Sequence, residues 1–71
     1  SSGSGTSGFP VVPFTVKVLI PDLNYRSAPS MSGSVKGQTG KGIFTIVEVK
    51  NGWGRLKSGA GWISLDYAKR V

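Results

Sequence analysis

Ile43-Phe44-Thr45-Ile46-Val47-Glu48-Val49-Lys50-Asn51-Gly52-Trp53-Gly54-Arg55-Leu56-Lys57 reads as a strand, a tight turn and a second strand. Phe44 and Ile46 alternate against Thr45, so one face of Ile43 to Lys50 is apolar and suits a half-buried pleat. Asn51-Gly52 supplies the two positive φ angles that a type I′ turn requires. The stretch therefore predicts an antiparallel hairpin of Ile43 to Lys50 with Trp53 to Lys57.

The same grammar extends in both directions. Ser58-Gly59-Ala60-Gly61 turns the chain into Trp62-Ile63-Ser64, and Leu65-Asp66-Tyr67 reads as one helical turn before a last short strand. Upstream, Thr15 to Ile20 reads as a strand stopped by Pro21, and Leu23 to Arg26 as a short one ending at Ser27-Ala28-Pro29-Ser30. Met31 to Gly42 places Val35 among four glycines, which predicts an irregular edge strand and a loose connection. Apolar residues clustered as β-branched and aromatic runs, with no helical spacing, make the fold all-β. Short strands joined by tight turns imply a small closed or half-closed antiparallel β-barrel, because closure removes exposed edges. Five to seven strands are expected between Phe14 and Val71, with Val16, Val18, Leu23, Phe44, Ile46, Leu56 and Ile63 as core.

The 71 residues suffice for one domain. Ser1 to Gly8 contains only Ser, Gly and Thr and cannot offset its own ordering entropy. Residues 1–13 are accordingly read as a flexible linker or cloning scar, with Phe9-Pro10-Val11-Val12-Pro13 as an extended lead-in. Nine Lys and Arg against three Asp and Glu give a formal charge of +6, which favours anionic surfaces without choosing among nucleic acid, acidic lipid and wall polymers. Cysteine is absent, so there is neither a disulfide framework nor a thiolate metal site. No apolar run approaches the ~20 residues of a membrane span and no signal peptide is visible, so the chain reads as a fragment of a longer protein, and its composition suits an exported and a cytosolic parent equally.

Leu23-Asn24-Tyr25-Arg26-Ser27-Ala28-Pro29-Ser30 resembles, over eight positions, the Leu-Asn-x-Arg-Ser-x-Pro-Ser opening of bacterial SH3 (SH3b) domains. The likeness continues through Gly40-Lys41-Gly42, Asn51-Gly52-Trp53 and Gly61-Trp62-Ile63-Ser64 to Tyr67, and so spans nearly everything after the linker. Tyr25, Ala28 and Gly54 depart from the usual pattern, which puts local surface in question and leaves the fold. The resemblance implies an SH3-like barrel that binds the bacterial cell wall, at peptidoglycan peptide or cross-bridge or at anionic wall polymers; a monomer without cofactor is expected. It implies a parent such as an endolysin or autolysin, with an N-acetylmuramoyl-L-alanine amidase or muramidase domain in the same chain, acting outside the cell at the wall. A flexible tether would raise the effective concentration of that catalytic domain at its substrate.

Histidine and cysteine are absent, and Asp22, Glu48 and Asp66 fall on separate elements with no evident shared site. A glycosidase needs two carboxyls across one bond and a hydrolytic zinc site three good ligands, so no catalytic or metal site is expected here. Binding is better served: Trp53, Tyr67, Trp62 and Tyr25 offer rigid amphipathic area. By likeness to eukaryotic SH3 domains, Trp53, Trp62 and Tyr67 are expected to converge on one face, with Trp53 and Tyr67 meeting ligand; the bland alternative is that the rings close a thin core. Asn24 and Arg26 fall beside Tyr25 and carry donors for carboxylates or carbonyls. Arg26 serves equally to organise loop carbonyls, and Asn24 to pin a turn.

Two other readings follow from the same features. Binding of proline-rich peptide, in the eukaryotic manner, needs acids to pair with a ligand arginine, and Ser27 to Lys41 carries two lysines and no acid. Nucleic-acid binding needs basic residues interleaved with aromatics on one face. Lys36, Lys41, Lys50, Lys57 and Lys69 instead fall on turns and edges.

Overall fold

The computed structural model describes residues 11–71, so the reading of residues 1–10 as linker lies outside the described residues. Among the described residues, seven strands form one antiparallel sheet: β1 (Phe14–Val18), β2 (Asn24–Arg26), β3 (Val35–Gln38), β4 (Gly42–Lys50), β5 (Trp53–Leu56), β6 (Trp62–Ser64) and β7 (Ala68–Arg70). A 3-10 turn, Leu65–Tyr67, links β6 to β7. The spatial order is β3-β2-β6-β5-β4-β1-β7. β3 and β7 are not paired with each other, so the sheet is not a closed barrel. Its inner face nevertheless packs on itself. Val16 and Val18 of β1, Ile46, Leu56, Ile63, Leu65, Ala68 of β7 and Leu23 just before β2 form one buried cluster.

The hairpin turns where Asn-Gly demands it, with Asn51 at φ 50° and Gly52 at φ 76°. Lys50 faces Trp53 across it, and Lys57 N–H still donates to the Thr45 carbonyl one residue past β5. The simple alternation predicted for the first strand holds only as far as Ile46. Ile46 pairs with Leu56 but Glu48 pairs with Arg55, so a bulge shifts the register there and Val49 becomes the next residue to pack on the core. Of the seven residues expected in the core, six are buried; Phe44 is only partly buried and packs against the cluster from its margin.

An added methyl at Gly52 would meet nothing within 4 Å. Gly52→Ala therefore isolates the backbone cost of a positive φ, and urea denaturation should show a loss of about 1–2 kcal/mol.

Candidate functional site

β5 and β6 are short strands whose alternate residues face opposite ways. Gly54 pairs with Ile63 on the core side, where a Cβ on Gly54 would lie 2.9 Å from Ile46 and Leu65. Trp53 pairs with Ser64, and Arg55 with Trp62, so these four project to the other face. Arg26 pairs with Trp62 and joins them.

On that face, beside the 3-10 turn, lies a groove of about 490 Å³. Its lining comes from two stretches of chain, Ile20, Asp22, Leu23, Asn24, Arg26 and Met31 in the first and Ser64, Asp66 and Tyr67 in the second, together with Trp53. Ser64 caps the turn, its Oγ accepting from the Asp66 N–H at 3.3 Å, which fixes where Asp66 and Tyr67 emerge. Arg26 braces the first stretch. Its Nη1 donates to the Met31 carbonyl at 3.0 Å and to the Gly33 carbonyl at 2.8 Å, holding the loop after β2. That is the carbonyl-organising role weighed for Arg26 in the sequence.

The six candidate residues divide. Asn24, Arg26, Trp53 and Tyr67 line the groove; Tyr25 and Trp62 do not. Tyr25 alternates to the core side of β2, where its ring lies over Gly37 and Gly61 and leaves no room for a Cβ at either. The expectation that Asn24 and Arg26 would project beside Tyr25 is thus corrected by strand alternation. Trp62, expected to converge with Trp53 and Tyr67, projects to the same face as Trp53, in register between Arg26 and Arg55, but is not part of the groove lining. Both flanking guanidiniums already have partners, Arg26 on its carbonyls and Arg55 facing Glu48 at 3.8 Å.

Trp53 needs a further correction. It was expected to be an exposed interface ring, yet it is only 9% exposed and stands outside the main apolar cluster, as the floor of the groove. Tyr67 is 53% exposed and is the ring that meets solvent.

Sequence reasoning also missed the acids. Asp22 and Asp66 are 44 positions apart (66 − 22) and were assigned to separate elements, but both line this groove. Among the described residues neither carboxylate has a hydrogen-bond or ion-pair partner. Chain distance concealed that they share it. Elsewhere, Lys36, Lys41, Lys50, Lys57 and Lys69 are all exposed, on β3, β7, turns and strand ends.

No family model, no curated protein and no solved structure matches this chain. The functional reading therefore stands on the groove and on the motifs that build it. No helix among the described residues is long and apolar enough to cross a membrane.

Proposed function

We propose that the domain is an SH3b-like, barrel-type module that binds bacterial peptidoglycan and holds an attached wall hydrolase against its substrate, without catalysing a reaction itself. One observation carries this reading. Residues from two stretches of the SH3b resemblance that lie far apart in sequence, Leu23, Asn24 and Arg26 from one and Ser64 and Tyr67 from the other, line a single groove. An aromatic floor, an exposed tyrosine and the amide of Asn24 suit a short peptide with apolar side chains and backbone carbonyls. The groove thus favours the peptide part of the wall over its glycan. The +6 charge acts at longer range, drawing the domain to anionic wall polymers.

The test is retention on purified peptidoglycan. Tyr67→Ala should reduce binding at least several-fold, as expected for an anchor worth more than ~1 kcal/mol. Melting should move little, since Tyr67 is half exposed. Wild-type retention by a Tyr67→Ala protein that melts normally would sink the proposal.

Salt separates the two contributions. Between low and moderate ionic strength, retention on intact walls should fall without vanishing, because lysine attraction is screened and groove contacts are not. A labelled oligonucleotide titrated in parallel should bind more weakly at physiological salt; tighter binding to the oligonucleotide would transfer the function to nucleic acid.

A further inference from the structure

The groove departs from the rest of the surface in charge. The chain carries +6, yet the groove lining holds two of its three acids, Asp22 and Asp66, and one cation, Arg26. Arg26 has its Nη1 committed to the Met31 and Gly33 carbonyls. The carboxylates have no partner among the described residues. A positive protein whose ligand groove is edged with unpaired carboxylates is complementary to a cationic group there, against its own long-range field. Trp53 and Tyr67 are in the same lining, and aromatic rings attract ammonium groups. The lining also includes Ile20, Leu23 and Met31, apolar side chains that suit an aliphatic arm.

We propose that the groove selects a primary ammonium carried on an aliphatic chain, the side chain of a diamino acid within a stem peptide. The inference rests on the reading of the groove as the ligand site, and it names what that ligand must carry. An amino-terminal glycine of a cross-bridge offers the charge without the arm, and so fills only part of the lining.

The experiment is a titration followed by backbone amide and indole resonances. Three probes are used: Nα-acetyl-L-lysyl-D-alanyl-D-alanine, the same peptide acetylated also at Nε, and triglycine. The proteins are the parent and the Asp22→Asn/Asp66→Asn double variant, whose melting is measured alongside. The free-amine peptide should shift Asn24, Trp53 and Tyr67. Acetylation at Nε should weaken it about two- to fivefold for each carboxylate engaged, the range of an exposed ion pair. In the double variant that preference should disappear, and triglycine should bind more weakly than the lysyl peptide throughout. Equal binding of the two lysyl peptides to the parent, a preference that survives in the double variant, or triglycine binding as well as the free amine overturns the inference. Retention on intact walls is scored separately. Wall binding without amine discrimination removes this inference alone, and amine discrimination without wall binding removes the cell-wall reading alone.

Discussion

Trp53→Ala is expected to lower folding stability by ~3–5 kcal/mol, the usual cost of truncating a buried aromatic. A single core in a chain this short rarely supplies more than about 3–5 kcal/mol, so the variant should be largely unfolded at 37 °C. Wall binding would be lost with the fold. The contrast with Tyr67→Ala is the informative part: one ring is 9% exposed beneath the groove, the other 53% exposed at its wall. Thermal melting by circular dichroism, run on both, should separate them clearly. A Trp53→Ala protein that melted like the parent would show that the ring is a ligand surface and not a floor.

Gly61→Ala is expected to be nearly as damaging, for a different reason. A Cβ at Gly61 would stand 2.5 Å from the Arg26 carbonyl oxygen and 3.0 Å from the Tyr25 ring. The nearest of these atoms is backbone, so relief requires β2 to move away from the chain entering β6. Forcing extra volume into a filled site costs typically 1–3 kcal/mol, and a backbone obstacle places this case at the upper end, ~3 kcal/mol. For a domain of this size that is a fall in Tm of about 12–24 °C. The displacement would also carry Arg26 off the Met31 and Gly33 carbonyls and open the groove wall. A Gly61→Ala melting curve within a few degrees of the parent would contradict the close approach of these strands.

The sequence carries the local features of this fold plainly. Asn51-Gly52 determines a turn by backbone chemistry alone, and Leu65-Asp66-Tyr67 makes its 3-10 turn with Ser64 as cap. The edge strand at Val35 was legible from glycine spacing. What escaped was whatever depends on strands meeting. The bulge after Ile46 answers the twist of the hairpin, and it brings Val49 onto the core by a shift that simple alternation does not encode. Trp53 reads as a surface aromatic beside a turn, yet it is buried, in a groove lining that it shares with Ile20 and Leu23, 30 or more positions upstream, and with Tyr67 of the 3-10 turn. The open sheet is of the same kind, because closure depends on β3 and β7 meeting, and they lie at opposite ends of the strand order.

The candidate site was legible in composition and not in arrangement. Asn24, Arg26, Trp53 and Tyr67 were all singled out, and all line the groove; Tyr25 and Trp62 were singled out by the same chemistry and lie elsewhere. Strand parity excludes Tyr25, which alternates with Asn24 and Arg26; Trp62 shares the face of Trp53 but sits in register between two arginines, outside the lining. Parity needs the register, and register comes from pairing. Asp22 and Asp66 carry the same lesson in reverse, since no spacing in the chain signals that two acids so far apart edge one groove.

The central claim is that ligand enters between the Leu23–Arg26 segment and the Leu65–Tyr67 turn. Its most direct test is an amide chemical-shift titration of the domain with solubilised peptidoglycan fragments at physiological salt. The account predicts that the largest shifts cluster at Asp22, Asn24, Trp53, Ser64, Asp66 and Tyr67, with Trp62, Arg55 and the exposed strand β3 nearly still. Shifts centred on Trp62 and Arg55, or on Val35 to Gln38, with the groove unmoved, would contradict it.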